Sequence, residues 1–306
     1  MKPPIFIAGP TAVGKSEIAL LLAEQIGGEI ITADSMQVYR GLDIGTAKPS
    51  AAERARVPHH LIDICDLTEN FDAAQFIRLA QKAVEEIQSR GHVPIFCGGT
   101  GLYFKAYLSG LGEAPGTNSE LRAELESASF ESLLHELRER DPEAYEKIDK
   151  QNPRRVIRAV EVIRLTGKPF SAQRAEWKSD STIHGSRFTT RLYCFTRQPA
   201  DLHARINARV DAMFARGLVD ETRALLQRGL TDNQTAMQAI GYRQVVEHLR
   251  GERALPETIE LVKIRTRQFA KRQLTWFRRQ LDPEWMELKP EESLDSIAAN
   301  LLQAVR

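Results

Sequence analysis

The hydrophobic pattern opens on a short, wholly apolar run, Ile5-Phe6-Ile7-Ala8, which reads as a strand. After a glycine loop, Ser16–Ile26 sets Ile18, Leu21, Leu22 and Ile26 on one helical face, and Gly27-Gly28 supplies the stop. Glu29–Ala33 reads as a second strand. Asp72 is placed to cap a helix that buries Phe76, Leu79, Ala80, Ala83, Val84 and Ile87 and halts at Gly91. His92–Cys97 is a third strand, broken by Gly98-Gly99. Strand–helix–strand alternation predicts an α/β fold, a parallel sheet with helices on both faces. Beyond Pro115 the pattern turns helical and densely charged as far as Lys178. Arg187–Arg197 then returns as one more sheet strand, and Asp201–Arg228, Ala239–Arg250 and Pro256–Arg279 are amphipathic helices. The expected organisation is a core formed by residues 1–114 and 187–306, interrupted by a helical insertion at 115–186.

Composition narrows the class. The 306 residues are 42% hydrophobic and 27% charged, enough apolar material for a core and for one large or two unequal domains. No run approaches the ~20 apolar residues that span a bilayer, and Met1-Lys2-Pro3-Pro4 leads straight into the first strand, leaving no room for a signal peptide. Cys65, Cys97 and Cys194 are odd in number and far apart, which fits buried thiols in a reducing cytoplasm and neither a disulfide framework nor a metal site. The net charge of +1 hides a separation: 113–149 is dominated by acids, 152–178 by bases, and 263–279 holds seven bases and no acid. Two such stretches in a near-neutral chain suggest a polyanionic partner. Solvated helix faces paired with the acidic stretch are the alternative.

Chemistry enters with Gly9-Pro10-Thr11-Ala12-Val13-Gly14-Lys15-Ser16, a G-x-x-x-x-G-K-[ST] loop between a strand and a helix. Successive backbone N–H groups of such a loop curl around phosphate oxygens, the helix N-terminus adds positive potential, Lys15 neutralises charge and the Ser16 hydroxyl can hold Mg²⁺, directly or through water. The core is therefore read as P-loop NTPase-like. Such a loop specifies phosphate and leaves the reaction open. Asp34-Ser35, just past the second strand, and Gly98-Gly99-Thr100-Gly101, just past the third, leave the same end of the sheet and can share its crevice. Taken singly, the first is a helix cap and the second a tight turn.

The strings 9–16, Asp-Ser-Met-Gln-Val-Tyr-Arg (34–40), Asp-Ile-Gly-Thr-Ala-Lys-Pro (43–49), His-His-Leu-Ile-Asp (59–63) and Gly-Gly-Thr-Gly-Leu-Tyr (98–103) closely resemble the tRNA dimethylallyltransferase family, in its bacterial form. So do Asn-Pro-Arg-Arg-Val-Ile-Arg-Ala-Val-Glu-Val (152–162), Ile-Gly-Tyr-Arg (240–243) and Thr-Arg-Gln-Phe-Ala-Lys-Arg-Gln-Leu-Thr-Trp-Phe-Arg (266–278), in order and over almost the full length. A Cys/His zinc finger found after this region in some relatives is absent. The resemblance implies transfer of a dimethylallyl group from dimethylallyl diphosphate to N6 of the adenosine 3′ of the anticodon, with Mg²⁺. It implies Asp34 as base, with Thr100 beside it and Lys15 on the diphosphate. For tRNA, in its anticodon stem-loop, it implies contacts from Asp34, Ser35, Met36, Gln37, Thr100, Arg122, Arg154, Arg155, Val156, Ile157 and Arg158. Gln238, Ala239, Ile240, Gly241, Tyr242, Arg243, Arg265, Arg272 and Arg279 complete that set. A monomer with no membrane contact is expected.

The chemistry agrees with the parts. An exocyclic adenine amine is a weak nucleophile, so attack on an allylic C1 needs a stabilised pyrophosphate leaving group and a carboxylate to take the N6 proton. The base must leave the anticodon-loop stack to reach it. Trp276 and Phe277 are read as core residues in preference to stacking platforms. The rival readings are a small-molecule P-loop kinase, a prenyltransferase acting on free adenine nucleotides and a non-catalytic P-loop RNA-binding protein.

Overall fold

The computed structural model describes residues 2–111, 114–173 and 191–304. The chain divides into two compact units, Met1–Lys105 with Ile183–Arg306, and Ala106–Thr182. The first alternates strand and helix from the start: β1 (Ile5–Ala8), α1 (Lys15–Ile26), β2 (Gly28–Ala33), α2 (Ala51–Arg56), β3 (His59–His60), α3 (Ala73–Ser89), β4 (Val93–Gly98) and the first half of α4 (Gly101–Ser109), whose last residues begin the second unit. The second unit follows with α5 (Ser119–Ser127), α6 (Phe130–Arg140), α7 (Pro142–Lys147) and α8 (Pro153–Thr166). The chain then resumes the first unit with β5 (Arg191–Thr196), α9 (Pro199–Ala215), α10 (Leu218–Leu226), α11 (Tyr242–Leu249), α12 (Leu255–Gln280), β6 (Glu284–Glu287) and α13 (Leu294–Ala304).

The six strands are all parallel in the order β3-β2-β4-β1-β5-β6. β1 sits between β4 and β5, with Ile7 opposite both Cys97 and Tyr193. Because β1 connects to β2 across β4, while β5 lies on its other side, the crossovers diverge at β1, and ligands of open α/β sheets bind at such a point. Every residue of β1, β2 and β4 is buried, so a helix layer must cover each face. On one side Ile7, Ile95 and Tyr193 pack with Ile18, Leu22, Ile206, Ile297 and Leu301 of α1, α9 and α13. Val38, Tyr39, Leu42, Leu218, Leu225, Tyr242 and Val245 form a second core beneath the loop after β2.

The predicted helix caps are present. Asp72 accepts from the Gln75 N–H, and Gln75 returns a bond to the Asp72 N–H, a capping box. Where pattern and structure differ, the cause is local. The helix expected over 201–228 breaks at Gly217, whose φ of 100° ends α9 before α10 starts. Gly27 alone caps α1, with φ 63°, and Gly28 already belongs to β2. The expected strand Arg187–Arg197 is observed from Arg191, and residues 187–190, like Arg174, Lys178 and the expected end of the insertion at 186, lie outside the described residues. Two edge strands, β3 and β6, carry no apolar run and had no signal in the pattern.

In the helical unit a core of Leu125, Leu133, Leu137, Val156, Val160 and Ile163 forms under α5, α6 and α8. Among its charges, Arg164 binds Glu124 and Glu136 (2.7 and 2.8 Å), so one arginine of the basic stretch is neutralised by acids of the neighbouring one.

Candidate active site

The glycine loop between β1 and α1 is held from outside by arginines. Ala12 sits at φ 62°, a left-handed conformation that a non-glycine residue rarely takes. Its carbonyl accepts from Arg205 Nε (2.9 Å), and the Val13 carbonyl accepts from Arg197 Nε (2.7 Å). Arg197 is fixed by Asp201 at 2.8 Å. With these carbonyls engaged, the first N–H groups of α1, which have no intrahelical partner, are left for an anion. Lys15 folds back over the loop, Nζ donating to the Pro10 carbonyl at 3.1 Å. Burial lowers its pKa from the ordinary lysine value; Arg209 adds to this, while Asp34 and Glu17 oppose it. Arg209 is likewise shifted down by burial, against the attraction of Asp34 and Glu17. No ion pair holds it among the described residues.

Asp34 follows β2 directly. Its Oδ1 accepts from the N–H groups of Met36 (2.9 Å) and Gln37 (3.3 Å), while Oδ2 carries no hydrogen bond among the described residues. One oxygen therefore caps the turn, as the plain reading of Asp-Ser expects, and the other is available. Thr100, after β4, accepts from the Ser35 N–H through Oγ1 (3.0 Å), and its own N–H donates to the Ala33 carbonyl (3.1 Å). These bonds tie the two strand ends together. Gly98 makes the approach possible, since a Cβ there would collide with the Ala33 backbone.

Lys15, Ser16, Asp34, Ser35, Thr100, Arg205, Arg209, Gln238 and Ile240 line one cavity of about 820 Å³, within the range of ligand sites. Of the other candidates, Met36, Gln37, Ala239 and Arg272 line it too, as do Thr11, Ala12 and Gly14 of the loop; Gly9, Pro10 and Val13 do not. Gly241 and Tyr242 are buried beside it, and Arg243 is exposed and pairs with Glu247 (3.3 Å). Arg265 and Arg279 are exposed on α12. Trp276 is half-buried and Phe277 fully buried, in edge contact with Phe104 at 6.2 Å between centroids.

In the helical unit, Arg154 and Arg155 are exposed, whereas Val156 and Ile157 point into its core. Arg158 is half-buried: it binds the fully buried Glu161 at 2.7 Å and the Pro115 carbonyl. Arg122 lies 3.6 Å from Glu126 and 4.0 Å from Glu161.

The pattern missed Arg197, Arg205 and Arg209. Their only trace was an i, i+4 pair of cations on the helix leaving a strand end, Arg205 and Arg209.

A parallel sheet with a glycine loop of the phosphate-binding pattern at its switch point, and a carboxylate across the same cavity, defines a P-loop α/β protein. Comparisons narrow this. The profile described as IPP transferase matches residues 37–280. A tRNA dimethylallyltransferase from Trichlorobacter lovleyi is 47% identical over 301 residues, covering 96% of each chain, and one from Geobacter metallireducens is 46% identical over 97% of this chain and 96% of that one. Among solved structures, the tRNA isopentenylpyrophosphate transferase of Bacillus halodurans superposes with a TM-score of 0.70 at 38% identity, covering 100% of this chain and 97% of that one. A eukaryotic dimethylallyltransferase acting on tRNA gives 0.82 at 29% identity, over 99% of this chain and 78% of that one. The chain belongs to the IPP transferase family, enzymes that transfer prenyl groups.

Proposed function

We propose that the chain transfers the dimethylallyl group of dimethylallyl diphosphate to N6 of the adenosine 3′ of the anticodon in tRNA. The reading rests chiefly on one observation: the glycine loop with its cations and the free Oδ2 of Asp34 line the same cavity. In the reaction the N6 lone pair forms a bond to C1, the C1–O bond breaks, and its electrons leave on the pyrophosphate oxygen. The N6 proton passes to Asp34. The loop N–H groups, Lys15 and Arg209 stabilise the charge that grows on the leaving group. Thr100, bonded to the Ser35 N–H, holds the Asp34 turn in register with β4.

Mg²⁺ fits this donor set. It is commonly held by one or two protein oxygens together with substrate phosphates and water, and the exposed Ser16 hydroxyl at the edge of the cavity offers one such oxygen. The described residues contain no cluster of three or more His, Cys, Asp or Glu side chains that would form an all-protein cage. Ser16 would hold the ion, which when bound neutralises charge on the diphosphate.

For the RNA, the exposed Arg154 and Arg155 of the helical unit, and Arg265, Arg272 and Arg279 along α12, are the candidates for phosphate contacts. The same reading puts the enzyme in the cytoplasm with its tRNA; no helix among the described residues is long and apolar enough to cross a membrane.

Incubation with unmodified tRNA and dimethylallyl diphosphate, followed by nucleoside analysis, is expected to yield N6-dimethylallyladenosine and pyrophosphate. Faster turnover of AMP than of tRNA would favour the free-nucleotide prenyltransferase, and label transferred from γ-labelled ATP would favour the kinase.

A further inference from the structure

The carboxamide of Gln273 joins two loops that line the active-site cavity. Gln273 lies in α12 and is 8% exposed. Its Oε1 accepts from the Thr11 N–H of the glycine loop (2.9 Å), and its Nε2 donates to the Gly99 carbonyl (2.8 Å), one residue before Thr100. The Gly-Gly-Thr-Gly turn is shaped around this helix. A Cβ on Gly99 would collide with Gln273 Nε2, and one on Gly101 with the Trp276 ring one turn further along α12. Gly99 and Gly101 thus serve close packing of α12 and not a flexible backbone.

We infer that Gln273 is a positioning residue that sets the distance between the diphosphate cradle and the Asp34–Thr100 pair. One planar amide spans the two loops, so a displacement of either is carried to the other. Its bond to Thr11 also removes that N–H from the set that can face the anion. In-line displacement needs N6, C1 and the departing oxygen aligned, and misplacement by about 1 Å costs about 100-fold in rate. Holding that alignment is the work assigned to Gln273, on the reading that the loop cradles the diphosphate.

The test uses the full chain with tRNA and dimethylallyl diphosphate. Gln273→Ala is expected to lower kcat about 100-fold while KM for the diphosphate moves less than about threefold, since the loop still binds its anion. Gly99→Ala should expel the carboxamide and reproduce that phenotype. The double variant should be no slower than either single one, as expected when both changes break one connection. Gln273→Glu keeps the acceptor for Thr11 but turns a carboxylate toward the Gly99 carbonyl unless it is protonated. Its kcat relative to wild type should therefore rise as pH falls from about 8.5 to about 6. A residue that merely fills space would give no such pH dependence. A kcat for Gln273→Ala within threefold of wild type, additive effects in the double variant, or a flat pH ratio for Gln273→Glu would each overturn the assignment. Lys15→Ala separates the underlying reading: if it leaves KM for the diphosphate and kcat unchanged, the loop is not the cradle. If it impairs them while the Gln273 variants do not, only the role of Gln273 fails.

Discussion

Tyr242→Phe probes the loop that follows Asp34. The Tyr242 hydroxyl donates to Glu221 Oε1 (2.5 Å) and accepts from the Gly45 N–H (3.0 Å), while Glu221 also accepts from the Ile44 N–H at 2.9 Å. The ring is fully buried against Gly45, where a Cβ would collide with it. Burial, reinforced by Glu221, raises the phenol pKa, so it stays a donor throughout the physiological range. Removing the hydroxyl deletes a bond to a charged acceptor, about 1.5–3 kcal/mol, and a neutral one, about 0.5–1.5 kcal/mol. Glu221 keeps its Ile44 bond, so the carboxylate is not orphaned and the lower end applies, roughly 2 kcal/mol. For a unit of this size that corresponds to a fall in Tm of about 4–8 °C. Scanning calorimetry measures it, beside tRNA affinity as a function of salt. If Tyr242 acts by clamping residues 43–46, Tm falls and the salt slope stays put. An unchanged Tm with weakened tRNA binding would refute the clamp and make Tyr242 a direct RNA contact.

Lys15→Ala and Arg209→Ala should each lower kcat/KM for dimethylallyl diphosphate by about 100-fold in steady-state kinetics and leave tRNA affinity within twofold. Alanine at Arg154, Arg155, Arg272 or Arg279 should reduce the slope of log affinity against log salt by about one each. Arg158→Ala should instead lower Tm with the slope fixed, because it takes the nearest cation from the buried Glu161 and leaves only Arg122 at 4.0 Å and the Asn118 N–H at 2.9 Å. Glu29, 3% exposed, is desolvated, yet Arg90, His60 and His92 overcome this and hold its pKa near about 2 against 4.5. The depressed folded value means its contribution, on the order of 3 kcal/mol, is full above pH 4.5 and lost as pH falls towards about 2. Denaturant titrations across that window should show a flatter pH dependence for Glu29→Gln.

The parts of the site that could be read in advance are those whose chemistry is local. The glycine loop announces itself because one contiguous string makes the turn and carries Lys15 and Ser16, and strand ends marked by Gly98 or by Asp34 put their followers at one sheet edge. Arg197 and Arg205 could not be read, since their value lies in reaching Val13 and Ala12 across 184 and 193 residues of chain. Gln273 is hidden for the same reason inside a helix whose visible feature is its cations. Arg158 shows the converse: helical spacing aligns it with Arg154, but the buried Glu161 three residues on draws it inward. β3 and β6 were missed because His59-His60 and Glu284–Glu287 pair on sheet edges that need no apolar alternation.

The most direct measurement is the single-turnover rate of prenyl transfer to tRNA by Asp34→Asn against wild type, with binding of both substrates determined separately. Asparagine keeps an oxygen for the Met36 and Gln37 N–H groups, so the turn and the affinities should persist. It has no basic oxygen for the N6 proton, and the rate of N6-dimethylallyladenosine formation should fall at least about 100-fold. A rate within a few-fold of wild type, at unchanged affinities, would contradict the assignment of Asp34 as the base facing the diphosphate loop.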